Sequence, residues 1–196
     1  MSIGYWETLA AISGDGTAVT NSTARTSLLG GAGGKQGLYT LPPNKLRIGD
    51  VLHIYAAGRV TSVVTTPGTI LFDLSFGVGG TAAFSSGAIT RNTTAQTDVP
   101  FIVEMHGTVR TIGNAGNIFW QGWTTSTAWL NVAAVATGPF AGIIHLPFNT
   151  APVIGSNVDM TVANILDFNV TMSVNTATTS TQLHTYVLSL KTSTGF

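Results

Sequence analysis

Apolar and polar residues alternate along several segments of this chain with a period of two. The clearest cases are Thr69–Phe76 and the segment 165–174, in each of which every second residue is a large apolar one. This alternation predicts β-strands with one buried and one exposed face. Segments with weaker alternation or many β-branched residues predict six further strands, at 51–57, 60–64, 99–105, 108–112, 117–123 and 183–190.

Glycine, proline and asparagine mark the turns between these segments. The sequences at 66–68 (Thr-Pro-Gly) and 113–116 (Gly-Asn-Ala-Gly) each separate two predicted strands, and 175–180 is expected to close a last hairpin. Only 2–12 and 127–136 are weak helix candidates. Short strands with frequent turns predict an all-β fold, specifically a jelly-roll-like β-sandwich.

The N-terminal region has a different composition from the rest of the chain. Residues 13–37 are rich in Gly, Ser, Thr and Asn and contain few residues that could enter a core. We therefore predict an extended N-terminal arm at 1–37 and a β-sandwich domain at 38–196, with a disordered tail as the alternative for the arm. Tyr5, Trp6 and Leu9 are the predicted apolar anchors through which the arm contacts neighbouring subunits or a capsid.

The chain carries very little charge. Its 196 residues include eight basic and eight acidic side chains, and the formal net charge is zero. None of these lies between Arg110 and Asp159. A neutral surface protects poorly against association, which predicts a homo-oligomer, with a trimer expected. The neutral balance argues against nucleic acid as a partner. Polar residues and prolines interrupt the best apolar window, 128–148, so we expect no membrane span and no secretory signal.

No residue pattern indicates catalysis, a metal or a cofactor. The chain has no cysteine, and its four histidines show no ligand spacing along the sequence: His53, His106, His145 and His184. No serine lies in a G-x-S-x-G sequence. A glycosidase would need two facing carboxyl groups, and nothing selects a pair among candidates such as Asp98 with Glu104 or Asp159 with Asp167. We therefore expect a protein that is not an enzyme and that has no metal site and no cofactor.

Three tryptophans form the main aromatic concentration of the sequence. Trp120, Trp123 and Trp129 lie close to one another along the chain, near Phe119. Trp suits sugar stacking and protein interfaces, so these residues are a possible aromatic contact surface. Core packing is the alternative, and we favour it for at least two of these aromatic residues.

Two parts of the sequence resemble small structural proteins of tailed bacteriophages. They are the opening Met1-Ser2-Ile3-Gly4-Tyr5-Trp6-Glu7-Thr8-Leu9 and the block LPPNKLRIGDVLHIYAAGRV at 41–60, followed by TPGTILFDL at 66–74. The segment Gln182-Leu183-His184-Thr185-Tyr186 adds to this resemblance. The resemblance implies a virion component, and a head decoration or cement role more than a catalytic one. It carries over no catalytic residues.

Three functions are open at this point. The first is a non-enzymatic capsid decoration subunit that binds and stabilises the head shell through the major capsid protein, located in the virion and assembled in the host cytoplasm. The second is a tail or fibre module that binds a host-surface glycan through the tryptophans. The third, the weakest, is a small glycan hydrolase.

Overall fold

Two antiparallel β-sheets make up the computed structural model of this protein. The structure describes residues 5–30, 37–62, 68–76, 82–129, 143–148, 158–176 and 178–192. The strands within these residues are β1 (Tyr5–Ala11), β2 (Val19–Thr20), β3 (Thr26–Ser27), β4 (Tyr39–Leu41), β5 (Val51–Ser62), β6 (Thr69–Phe76), β7 (Ala82–Ser85), β8 (Ile89–Thr90), β9 (Gln96–Thr111), β10 (Asn117–Ser126), β11 (Ile143–Leu146), β12 (Asn164–Met172) and β13 (Ser180–Thr192).

The larger sheet contains the long strands. Its order is β1-β13-β5-β9-β10-β11, and the short strand β2 also pairs with β13. The smaller sheet has the order β3-β12-β6-β7, with β4 paired to β12 and β8 paired to β6. All of these pairings are antiparallel.

The core lies between the inner faces of the two sheets. Phe72 on β6 stacks on Phe168 on β12, with ring centroids 5.7 Å apart, and it also stacks on Phe101 on β9 at 5.4 Å. Phe168 in turn stacks on Tyr186 of β13 at 6.1 Å. Aromatic rings from both sheets therefore meet at the centre of the sandwich, where burial of such large side chains is the main stabilising term.

The predicted all-β sandwich is confirmed, and several strands match closely. β6 has the predicted bounds, and β12 begins one residue before the predicted segment. β5 and β9 each join two predicted strands into one long strand, because Gly58 and Gly107 continue the extended backbone instead of ending it. The jelly-roll connection remains a prediction.

Two local predictions differ from the structure. The helix candidate 2–12 is wrong, since Tyr5–Ala11 forms β1. The loop at 175–180 does not close a hairpin, because β12 and β13 belong to different sheets and the loop passes from one to the other. The second helix candidate, 127–136, lies outside the described residues from 130 onward. Its first two residues, Thr127 and Ala128, form a turn. No helix within the described residues is long and apolar enough to cross a membrane.

The N-terminal segment lies on the sandwich, which differs from the predicted extended arm. Between residues 5 and 30 it contributes β1 and β2 to the larger sheet and β3 to the smaller one. Leu28 and Leu29 are buried in the core. Residues 5–30 therefore form short strands and turns on the domain itself, whereas the glycine-rich residues 31–36 of the predicted arm lie outside the described residues.

Candidate functional site

The outer face of the larger sheet carries most of the aromatic and titratable side chains that could bind a ligand. Strand register arranges these side chains in rows that run across the sheet. The central row crosses five strands and consists of Gln121, His106, His53, Ser189 and Thr8. With strands about 4.8 Å apart, such a row is about 19 Å long. This row lies on the solvent side of the sheet.

His53, Glu104 and His106 meet at the middle of this face. His53 and His106 are directly opposite each other on β5 and β9, and their imidazole rings stack with centroids 4.7 Å apart. The Nε2 atoms of both rings approach the same carboxylate oxygen, Glu104 Oε1, at 3.1 Å from His53 and 3.5 Å from His106. Two imidazoles thus converge on one carboxylate.

Burial affects the basicity of one of these imidazoles. Partial burial lowers the pKa of His106 below its ordinary value, and the neighbouring His53 acts in the same direction. Glu104 opposes both effects through its charge and its hydrogen bond. This lower pKa favours the neutral form of His106, in which one ring nitrogen carries a lone pair.

Trp6 flanks this cluster on the edge strand β1. The residue is 51% exposed, and its indole meets the His53 ring in a T-shaped contact with ring centroids 5.7 Å apart. The Lys191 ammonium group lies 5.8 Å from the Trp6 ring centre, within the range of a cation–π contact. Trp6 thus presents a large aromatic surface to solvent in a fixed position.

Two further rows place aromatic residues on either side of the cluster. Trp123 and Tyr55 lie opposite Glu104 on the two adjacent strands, and His145 follows Trp123 on β11. Phe119 belongs to the row on the other side, and the Arg110 guanidinium covers its ring at 3.9 Å. We call this surface the aromatic face; it consists of Trp6, His53, Tyr55, Glu104, His106, Phe119, Gln121 and Trp123.

The three tryptophans predicted as a contact surface separate in the structure. Trp123 is half-buried on the aromatic face, whereas Trp120 and Trp129 are buried in the core, which corrects the prediction for these two. Trp120 packs on Gly107, and the Trp129 indole donates a hydrogen bond to Thr124 Oγ1 at 3.1 Å. Core packing, which the sequence analysis favours for at least two of these aromatic residues, holds for both.

The predicted N-terminal anchors also differ in exposure. Tyr5 is 59% exposed, and Trp6 is exposed on the aromatic face, so both can contact another molecule. Leu9 packs against the protein's own core. Leu9 therefore contributes to the domain, and only Tyr5 and Trp6 remain available as anchors.

Sequence reasoning missed the cluster around Glu104. Its members come from two strands, and His53 lies far along the chain from the other two. The only local signal was the spacing of Glu104 and His106, which are two positions apart and so share a face on any β-strand. The position of His53 opposite His106 follows from the β5–β9 register, which no local spacing encodes.

Other features of the molecule offer less chemistry. A groove of about 510 Å³ is formed by the N-terminal loops, and its walls carry no titratable or aromatic side chain: Thr17, Ala18, Val19, Thr20, Ser22, Thr26, Ser27 and Gly30. Arg91 is buried, and this burial lowers the pKa of its guanidinium to about 10. None of the described residues accepts a hydrogen bond from the Arg91 guanidinium.

The four carboxylates considered for glycoside hydrolysis each have a nearby partner. Thr61 donates to Asp98, and His53 contacts Glu104. Asp159 accepts from its own loop, from the hydroxyl of Thr161. Ser27 donates to Asp167 at 2.6 Å.

Comparison with known proteins identifies no family. No protein-family model matches the chain, and a search of curated proteins found no match. Among solved structures, one similar chain is the CBM2 module of the evolved Dit of Lactobacillus casei BL23 phage J-1. It has 9% sequence identity and a TM-score of 0.33, over 81% of this chain and 70% of that chain. Similarity at this level does not establish a shared function.

Proposed function

We propose that this protein is a non-enzymatic structural component of a bacteriophage virion and that it binds a host-surface glycan through the aromatic face. The virion assignment rests on the sequence resemblance of residues 1–9, 41–60 and 66–74. The glycan assignment rests on one observation, the half-exposed Trp6 on the edge strand of the aromatic face.

The chemistry of the aromatic face suits a sugar ligand. A sugar ring has apolar C–H faces and hydroxyl groups at its rim, so it needs aromatic platforms beside hydrogen-bonding groups. Trp6 and Trp123 supply the platforms, and Gln121, Glu104 and His106 supply donors and acceptors between them. Because rows of side chains run about 19 Å across this face, several sugar units could lie along it, so a polysaccharide is the expected ligand class.

A glycan array tests this proposal directly. We expect the purified protein to bind bacterial surface polysaccharides, and we expect Trp6→Ala and Trp123→Ala to weaken that binding at least about tenfold, as for other aromatic interface residues. Tyr5→Ala is the matched control, because Tyr5 is about as exposed as Trp6. Tyr5 is adjacent to Trp6 on β1, so its side chain points to the other side of the strand, away from the aromatic face.

The results of this experiment separate the possible functions. Loss of binding in both tryptophan variants but not in Tyr5→Ala supports the aromatic face. Equal binding by all four proteins, or no binding to any bacterial glycan, contradicts the proposal.

Capsid decoration is the second candidate, favoured by the sequence resemblance and by the exposed Tyr5 and Trp6 on an edge strand. Co-sedimentation with capsid shells that lack the protein distinguishes it from the first. In that assay, a decoration subunit binds the shells at saturating stoichiometry, whereas a tail module does not.

A further inference from the structure

The geometry at the middle of the aromatic face matches a metal site. One ligand atom from each of His53, Glu104 and His106 can be chosen so that all three lie within 4.8 Å of one another. Around a four-coordinate zinc ion with bonds of 2.0–2.1 Å, neighbouring ligand atoms are about 3.3 Å apart. The two imidazole-to-carboxylate distances, 3.1 and 3.5 Å, already lie close to that value.

Small side-chain movements complete the arrangement. For both histidines to bind one ion, the distance between the ligand nitrogens of His53 and His106 must decrease. His106 has a side chain that is 48% exposed, so it can rotate toward the centre without disturbing the core. His53 is more fixed, because it lies between the Trp6 edge and the stacked His106 ring.

The donor set selects the class of ion. Two imidazoles with one carboxylate suit zinc, copper, nickel and cobalt, whereas calcium and magnesium prefer oxygen ligands. Three protein ligands leave a fourth position for water or another ligand. The partial exposure of Glu104 and His106 leaves that position open on the solvent side of the sheet.

We propose that His53, Glu104 and His106 form a binding site for one divalent transition-metal ion, with zinc as the representative ion. This proposal goes beyond glycan binding and stands independently of it. The metal can be present whether or not the aromatic face binds sugar.

Calorimetric titration of the full chain with zinc chloride tests the site. We expect one ion per chain in the wild-type protein. His106→Gln and Glu104→Gln should each weaken binding by about 100-fold or more, since even indirect supporting residues of metal sites contribute about 10–100-fold. Circular dichroism checks that both variants fold, which their partial exposure favours.

His184→Gln is the matched control. His184 pairs with Asp15 at 2.7 Å, so it is a histidine–carboxylate pair without a second imidazole. We expect this variant to bind zinc as the wild type does, and we expect calcium to produce no binding heat. Equal affinity in wild type and His106→Gln, or a loss in His184→Gln as large as that in His106→Gln, overturns the proposal.

Fluorescence gives a second measurement that reports position. Because Trp6 contacts His53, nickel or copper bound at the cluster should quench Trp6 emission, and Trp6→Phe should remove much of that quenching. Quenching that persists unchanged in both Trp6→Phe and His106→Gln would place the ion elsewhere and also overturn the proposal.

Discussion

Trp120 and Trp123 lie three positions apart on β10, and this odd spacing sends their indole rings to opposite faces of the larger sheet. Trp120 packs in the core over Gly107, while Trp123 lies opposite Glu104 on the aromatic face. Trp120 needs the glycine, because a Cβ atom at position 107 would approach its ring to 2.6 Å. Aromatic residues that are an odd number of positions apart on a strand therefore do not form one surface.

The contact between Trp120 and Gly107 predicts the effect of adding a methyl group there. We expect Gly107→Ala to lower the free energy of unfolding by about 1–3 kcal/mol, because the indole or the strand must shift to accept the extra atom. Gly14→Ala is the control, since a Cβ at position 14 meets nothing within 4 Å and its effect should stay within about 0.5 kcal/mol. Urea unfolding measures both, and equal midpoints would contradict the close packing of Trp120 on Gly107.

Phe168 allows a similar comparison between the two faces of one strand. Phe168 is fully buried between Phe72 and Tyr186, so Phe168→Ala should cost about 3–5 kcal/mol through lost burial and the cavity left behind. Thr171 lies on the opposite face of β12, and Thr171→Ala should cost less than about 1 kcal/mol. Thermal unfolding of both variants is the measurement, and equal losses would mean that the face assignment of β12 is wrong.

At the scale of elements, the segment around β3 covers polar side chains on the outer face of the smaller sheet. Asp73 of β6 is buried there although it faces away from the core. The Arg25 guanidinium binds the Asp73 carboxylate, and its Nε lies 2.8 and 3.0 Å from the two carboxylate oxygens. The side-chain amide of Asn169 donates a hydrogen bond to Asp73 Oδ1 at 3.3 Å. The N-terminal segment thus supplies a cation to a buried carboxylate.

Removing that cation should therefore be costly. We expect Arg25→Gln to destabilise the protein by about 1–3 kcal/mol, because it leaves the Asp73 charge buried with weaker partners. Asp73→Asn should recover much of this loss in the Arg25→Gln background, which a double-mutant cycle measures. Additive effects of the two substitutions would indicate that the pair does not interact.

The structure also fixes the expected result of N-terminal deletions. Deletion of residues 1–11 removes the edge strand β1, including the core contact of Leu9, so we expect a folded protein with a lower melting temperature. Deletion of residues 1–30 also removes Leu28 and Leu29 from the core, and we expect it to abolish cooperative unfolding. Calorimetry distinguishes these results. A stable domain after the longer deletion would restore the idea of an arm outside the sandwich.

How far the sequence predicts these elements depends on how local their signal is. β6 was predicted with its bounds because its buried face repeats every second residue without interruption. β1 was missed because it is an edge strand with a register shift between Thr8 and Ala10, which breaks the alternation. The cluster of His53, Glu104 and His106 depends on pairing between distant strands, and no local pattern of residues specifies that register.

At the scale of the whole molecule, exposed aliphatic residues concentrate where three loops meet at one end of the sandwich. Ile48, Ile112 and Val162 are each at least half exposed. Backbone hydrogen bonds join the loops that carry them, from Gly49 to Val109 at 2.9 Å and from Met160 to Gly113 at 2.9 Å. With zero net charge, the chain has little electrostatic repulsion to oppose contact between such ends.

We therefore expect the protein to self-associate into a trimer or a larger closed oligomer, with this end of the sandwich in the contact. Ile48→Lys should shift the sedimentation profile toward monomer, because burying an unpaired ammonium group at an interface is costly. Ile143→Lys is the matched control: Ile143 is also 61% exposed, but it pairs with Thr125 near the opposite end of β10. Analytical ultracentrifugation over a range of concentrations measures all three proteins. A wild-type protein that stays monomeric at high concentration contradicts self-association, and equal dissociation of both variants means that the contact lies elsewhere on the surface.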